Sequence, residues 1–98
     1  MVPVIYAPEA ERDLESITTF IARDNPEAAE QFGLRLIERA ELLGAFPKLG
    51  RPVLERPNVR VLLETPVKIY YRLRPAAQSV EMLRFWHSSR DPDSLSFD

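Results

Sequence analysis

The stretch VRVLLETPVKIYYRLRPAAQSVEMLRFWH, residues 59–87, decides the fold of this chain. Its apolar, β-branched and aromatic residues recur with a period of two, which predicts three strands over residues 59–64, 67–73 and 79–87. The links between them, Thr65-Pro66 and residues 74–78, are short turns. Strands joined by links of this length pair antiparallel, so the stretch predicts a three-stranded meander.

Two sets of side chains alternate along the middle strand, because successive residues of a strand point to opposite faces. The apolar set predicts the buried face and consists of Val67, Ile69, Tyr71 and Leu73. The polar set predicts the opposite face and consists of Lys68, Tyr70 and Arg72. We place Arg60, from the preceding strand, on this second face.

The sequence before the meander predicts one strand and two helices. PVIYA, residues 3–7, is a short strand with Pro at its start. Apolar residues then recur at helical spacing from Pro8 through Ile21, and again from residue 26 to about residue 46. Asn25 is a good N-cap for the second helix, and Pro26 suits its first position. Gly33 indicates a close approach of the two helices.

The Pro-rich segment FPKLGRPVLERPN, residues 46–58, is a loop between the helices and the meander. The order is therefore β-α-α-β-β-β. It predicts an α+β fold in which a helical hairpin packs on one face of a small, mostly antiparallel sheet.

Length and composition bound the function classes. Ninety-eight residues predict a single domain, 1–98, with a loose C-terminal tail from about residue 93 to 98. The chain has no cysteine and one histidine, which excludes disulfides and thiolate zinc sites and argues against a metal or another cofactor. No apolar run approaches the ~20 residues of a membrane span, and the N-terminus lacks the features of a signal peptide, so we expect a cytoplasmic protein.

The net charge of −2 conceals an asymmetry. Residues 9–46 carry nine acidic residues and four arginines, a balance of −5, whereas residues 47–98 carry nine basic and six acidic residues, a balance of +3. The overall acidity argues against a general nucleic-acid binder, and the basic half leaves room for a local anion site.

Five segments, in this order, resemble the RelE/ParE toxin superfamily, and most closely its ParE-like, plasmid-stabilisation branch. They are APEAERDLESI, DNPEAAEQF, FPKLGRP, VKIYYRL and LRFWHSSRDP, and the likeness runs from about Val4 to Pro92. The resemblance implies the fold predicted above and a growth-arresting toxin of a type II toxin–antitoxin module. ParE-type members inhibit DNA gyrase, whereas RelE-type members cut mRNA on the ribosome.

The leading interpretation is a ParE-like gyrase inhibitor that acts by binding and has no catalytic residues of its own. We expect its target-binding residues on the last strand and just after it: Arg84, Trp86, His87 and Arg90. The alternative roles are ordinary ones. Trp86 would pack, His87 would end the strand, and Arg90 would pair with Asp91 or Asp93.

The second interpretation is a RelE-like, ribosome-dependent mRNA endoribonuclease. By resemblance its catalytic residues would be Arg60, Lys68, His87 and Arg90. Two departures count against it: Leu62 replaces a basic residue of the family pattern, and the tyrosine expected after the terminal arginine is missing. A third interpretation is an inactive member that acts only in a repressor complex with its antitoxin.

The resemblance also implies a cognate antitoxin, whose disordered tail folds onto the toxin in a hetero-oligomer. We predict that the antitoxin covers the helical hairpin and the edge of the sheet. The predicted antitoxin-binding residues are Leu14, Ile21, Phe32, Leu36, Tyr70 and Arg72.

Overall fold

A computed structural model describes residues 1–97 and confirms the predicted α+β fold, with two helices packed against a five-stranded sheet. In chain order the elements are β1 (Val4–Tyr6), α1 (Pro8–Ala22), α2 (Pro26–Ala45), β2 (Arg51–Pro52), β3 (Val59–Glu64), β4 (Val67–Arg74), β5 (Ser79–His87) and a 3-10 turn (Pro92–Ser94). The predicted meander matches β3, β4 and β5 within one residue. The sequence does not predict β2, because two residues in a Pro-rich loop show no alternation.

The sheet has the strand order β1-β5-β4-β3-β2. β1 runs parallel to β5, and the other neighbours are antiparallel, as predicted for most of the sheet. Parallel pairing needs a long connection, and here both helices and three strands separate β1 from β5 in the chain. The first and last strands therefore lie side by side.

The two helices form the predicted hairpin. Asn25 Oδ1 accepts a hydrogen bond from the Ala28 N–H at 3.1 Å, and Pro26 takes the first helical position. A Cβ added to Gly33 would lie 2.9 Å from Thr18 Cγ2. The helices thus approach each other closely at Gly33, as its place in the pattern indicates.

The core lies between the helices and the face of the sheet that they cover, which we call the inner face. Val67, Ile69 and Tyr71 of β4 are fully buried there, so the predicted alternation of the middle strand is confirmed. The other members of the core cluster are Ala10, Leu36, Ala40, Leu43, Val80, Met82 and Phe85. Burial of each large apolar side chain stabilises the fold by about 1.5–3 kcal/mol.

Tyr71 also holds the loop before β3 against the sheet. Its hydroxyl donates to the Pro47 carbonyl at 2.7 Å and accepts from the Gly50 N–H at 2.9 Å. A Cβ at Gly50 would lie 2.7 Å from both this hydroxyl and the Val61 carbonyl oxygen. Only glycine fits so close an approach, so this loop is fixed in place despite its irregular backbone.

A β-bulge in β5 sets which side chains face away from the helices. Tyr70 pairs with Arg84 and Tyr71 with Met82, which leaves Leu83 as an extra residue. Val80 and Met82 precede the bulge on the inner face, and a regular strand would continue with Arg84 on that face. The bulge reverses the alternation, so Arg84 and Trp86 lie on the opposite, outer face.

Candidate functional site

The outer face of the sheet is basic, with two aromatic side chains among its cations. One row of cross-strand neighbours runs Arg51, Val61, Tyr70 and Arg84, and the row beside it runs Leu63, Lys68 and Trp86. Directly paired residues share a face and lie close together. Among residues 1–97, Arg51 and Lys68 form no ion pair, so this face attracts anions.

Arg84 is tied to helix α1 by a buried ion pair. Its Nε lies 2.7 Å from Asp13 Oδ2 and its Nη2 lies 2.9 Å from Asp13 Oδ1, a bidentate geometry. The two side chains are 13% and 7% exposed, and the hydrogen bond to Asp13 raises the pKa of Arg84. Asp13 also accepts from the Phe85 N–H at 3.1 Å. The predicted target contact of Arg84 is therefore taken up by a contact within the fold.

Trp86 lies beneath two guanidinium groups. The Arg90 carbon Cζ is 3.9 Å from its ring centroid and the Arg84 Cζ is 5.0 Å away. The residue is only 3% exposed, and its Nε1 is buried without a hydrogen-bond acceptor in the described part of the chain. As folded here, Trp86 is a packing residue, and a partner can reach it only if Arg90 moves.

His87 ends β5 on the inner side of the sheet, where it pairs with Val67. Its Nδ1 lies 3.0 Å from the Ser89 N and 2.7 Å from the Ser89 Oγ. These contacts close the turn after the strand. They match the ordinary interpretation of His87 as a strand-ending residue.

The prediction that Arg60 lies on the outer face is wrong. Arg60 pairs with Tyr71, which places it on the inner face. Its Nη1 donates to the carbonyls of Gly50 at 2.6 Å and Lys48 at 3.3 Å.

The residues proposed for RNA cleavage are consequently not assembled. Arg60 and His87 lie on the inner side, and Lys68 lies on the outer face. Arg90 lies over Trp86, the cross-strand partner of Lys68, so Lys68 and Arg90 do have one neighbour in common.

Residues 90–97, which we call the C-terminal strap, cross the outer face. The Ser96 carbonyl accepts from Arg84 Nη1 at 2.9 Å. The Phe97 ring centroid is 5.3 Å from that of Tyr70 and 5.1 Å from the Arg56 Cζ. Burial raises the pKa of Tyr70, against the opposing charge of Arg51. The structure thus places Ser96 and Phe97 against the sheet and leaves Asp93 and Ser94 exposed, whereas Asp98 lies outside the described residues; the looseness of the tail stays a prediction.

A second surface is the groove between the two helices, which Tyr6 of β1 also lines and which we call the hairpin groove. Its larger section has a volume of about 660 Å³ and is lined by Tyr6, Glu11, Leu14, Glu15, Thr18, Gly33, Ile37 and Glu41. Three large apolar side chains stand exposed on this hairpin: Phe20 at 69%, Leu34 at 53% and Ile37 at 39%. These three residues are not among the predicted antitoxin-binding residues, although apolar side chains outside the inward stripe of a helix indicate such a surface.

The predicted antitoxin-binding residues are divided by the structure. Leu36 is fully buried and cannot contact a partner. Leu14 and Phe32 pack partly against the core, and Ile21 is half-buried. On the sheet, the Tyr70 ring contacts Phe97, and the Arg72 Nη1 lies 3.7 Å from the Glu81 Oε1.

Within residues 1–97 the histidine and carboxylate side chains form no group of three or more that could hold a metal ion. None of the helices described here has the length and apolar character needed to cross a membrane.

Comparison with known proteins identifies a family and solved structures that this chain resembles. Residues 4–92 match the family model of the ParE toxin of the type II toxin–antitoxin system, parDE. The solved chromosomal ParDE toxin–antitoxin system of P. aeruginosa is similar, at 27% identity and a TM-score of 0.73, over 89% of this chain and 96% of that one.

Two further structures share the fold. The RelBE2 toxin–antitoxin complex of Mycobacterium tuberculosis matches at 20% identity and a TM-score of 0.69, over 88% of this chain and 96% of that one. The RelBE toxin–antitoxin complex of E. coli matches at 12% identity and a TM-score of 0.62, over 92% of this chain and 100% of that one. Among curated protein sequences, none matches.

Proposed function

The chain belongs to the ParE toxin family of type II toxin–antitoxin systems, and we propose that it arrests growth by binding DNA gyrase in the cytoplasm until a cognate antitoxin neutralises it. In this proposal the toxin acts by binding alone. Its target-facing surface is the basic outer face with the end of β5, including Lys68 and Arg90.

The observation that carries the proposal is the separation of the groups that a ribonuclease would need. Cleavage of RNA requires a base at the 2′-hydroxyl and cations at the same phosphate, all within reach of one reacting centre. Arg60 and His87 lie on the other side of the sheet from Lys68. A cationic face without an acid–base pair is suited to binding.

We further propose that the antitoxin occupies the hairpin groove. The exposed apolar side chains of Leu34 and Ile37, which line this groove, fit the apolar face of a helix that folds as it binds. The ParDE system of P. aeruginosa is a toxin–antitoxin system of the same family, which supports a partner of this kind. The result would be a toxin–antitoxin hetero-oligomer.

The test is a gyrase supercoiling assay with the purified protein, repeated with the protein encoded beside it as antitoxin. We expect inhibition that the antitoxin reverses, with cleaved DNA trapped on the enzyme. Lys68→Ala and Arg90→Ala should weaken inhibition severalfold, while Arg12→Ala, which removes an exposed cation of α1, should leave it unchanged. Full supercoiling in a large excess of folded toxin would contradict the proposal.

One observation favours the ribonuclease as a second candidate: Lys68 is the cross-strand partner of Trp86 and the Arg90 guanidinium lies over the Trp86 ring, so two cations have this residue as a common neighbour. A translating extract separates the candidates, because a ribonuclease shortens transcripts there and loses this activity in Lys68→Ala. An inactive member would leave gyrase, transcripts and growth unaffected after induction while still binding its antitoxin.

A further inference from the structure

The C-terminal strap covers the outer face mainly through single side-chain contacts. They include a hydrogen bond from Arg84 to the Ser96 carbonyl, the Phe97 ring between Tyr70 and the Arg56 guanidinium, and the guanidinium of Arg90 over Trp86. Asp91 bonds to Asp93 and Ser94 within the strap, where it caps the 3-10 turn. Contacts of these kinds are individually weak, so the strap can lift without unfolding the sheet.

The surface beneath the strap has the character of a binding site. Trp86 Nε1 is a buried donor with no acceptor among residues 1–97. Lys68 is directly opposite Trp86 across the strands and forms no ion pair in the same range. A buried donor beside an uncompensated cation calls for an acceptor that carries negative charge.

The strap itself indicates what chemistry fits. Its sequence, RDPDSLSF over residues 90–97, carries two carboxylates and ends in an aromatic ring. On the outer face it supplies a carbonyl to Arg84 and the ring to Tyr70. Asp91 and Asp93 lie exposed and form no ion pair with the described residues.

We propose that the C-terminal strap is a displaceable cover, and that the patch beneath it, formed by Lys68, Tyr70, Arg84 and Trp86, binds an acidic peptide segment of a partner protein that carries an aromatic side chain. The partner's ring takes the place of Phe97 on Tyr70, and its carboxylate reaches Lys68 and the Trp86 N–H. The strap competes with the partner for this patch. The proposal concerns the patch alone and holds whether or not gyrase is the target.

The first experiment uses the fluorescence of Trp86, the single tryptophan of the chain. Acrylamide should quench it weakly in the full-length protein and severalfold more strongly in Phe97→Ala, because the strap then lifts and takes Arg90 with it. Phe46→Ala is the matched control, since it removes another exposed ring, at the end of α2, that belongs to neither proposed binding surface. In this control acrylamide should quench Trp86 as weakly as in the wild type. Equal quenching in all three proteins would overturn the strap as a cover.

The second experiment adds a synthetic peptide of residues 90–97 to the Phe97→Ala protein. We expect the peptide to restore protection of Trp86 in the variant, with less effect on the wild type, whose patch is occupied. The same peptide with both aspartates changed to asparagine should protect less. Protection by an oligodeoxythymidine instead of either peptide would overturn the assignment of the partner as an acidic peptide segment. Circular dichroism of each variant verifies that the fold is unchanged.

Discussion

The packing of the two faces of the sheet depends on different parts of the sequence, and two adjacent tyrosines of β4 show the difference. Tyr71 is fully buried on the inner face, with both hydrogen-bonding positions of its hydroxyl occupied by Pro47 and Gly50. Tyr70 is on the outer face, half-buried, with its ring in contact with Phe97. Local alternation specifies the inner face, whereas the outer face depends on segments far away in the chain. The inner face holds the buried core, and the outer face is the surface that we propose for binding.

The largest effect is expected at Asp13, which links α1 to the outer face. Asp13→Ala leaves the Arg84 guanidinium and the Phe85 N–H without their acceptor, so we expect a loss of about 3–5 kcal/mol in the free energy of unfolding. Urea unfolding followed by circular dichroism measures it. Glu15→Ala, an exposed carboxylate of the same helix, is the control. A loss no greater than in this control would show that the two faces are stabilised independently.

A smaller effect should separate the adjacent tyrosines. Tyr71→Phe leaves the Gly50 N–H and the Pro47 carbonyl unsatisfied in the interior, at a cost of about 1–3 kcal/mol. Tyr70→Phe removes a hydroxyl that forms no hydrogen bond within residues 1–97, so its cost should stay within about 0.5 kcal/mol. Both values come from urea unfolding. Equal losses would refute the contrast drawn between the faces.

Alkaline pH should lower the free energy of unfolding gradually. Burial raises the pKa of Tyr71, and burial together with the hydrogen bond to Glu41 raises the pKa of Tyr6. The folded protein thus holds these phenol protons more tightly than the unfolded chain does. The contribution is complete below the ordinary pKa of about 10 and is lost as the pH rises above it. From about pH 8 to pH 11 the free energy of unfolding should decline less steeply in Tyr71→Phe than in the wild type. The same decline in both proteins would show that Tyr71 does not contribute to the loss of stability at alkaline pH.

The smallest effect is expected for an ion pair at the exposed side of the sheet. Arg74 Nη1 lies 3.0 Å from Glu81 Oε1, with side chains 47% and 24% exposed. Arg74→Ala should cost about 0–1 kcal/mol, and less in high salt, because solvent screens exposed charges. The loss in the free energy of unfolding is compared with that of Asp13→Ala under the same conditions. This comparison tests whether burial makes the Arg84–Asp13 ion pair stronger than the Arg74–Glu81 ion pair. A loss as large as that of Asp13→Ala would contradict the argument.

The sequence predicts the elements of the fold because most of them are specified locally. Alternation in VKIYYRL defines β4 and its faces, and Asn25-Pro26 marks the start of α2. The parallel pairing of β1 with β5 and the extra residue Leu83 have no such signal, since both are consequences of packing between distant segments. Regular alternation along β5 would place Arg84 and Trp86 on the inner face, so their position on the outer face cannot be predicted unless the bulge is known.

The candidate site is less predictable for the same reason. Closeness in the chain predicts that Arg84, Trp86 and Arg90 form a cluster. It does not predict which residues they contact. Asp13 lies 71 positions from Arg84, and it follows the acidic first turn of α1, formed by Glu9 and Glu11, in the chain. Nothing in the local pattern separates it from these acidic neighbours, whereas the structure makes it the acceptor of three hydrogen bonds from Arg84 and Phe85.

The position of Asp13 also bears on how copies of this protein meet in solution. β1 covers only residues 80–82 of β5, so the remaining length of that strand faces outward where α1 passes. A bare strand edge is a template on which another chain can add a strand and begin an aggregate. Asp13 accepts a hydrogen bond from the Phe85 N–H, so this donor is not open to a strand of a second copy. We therefore expect solubility at high concentration, and not only folding, to depend on this side chain.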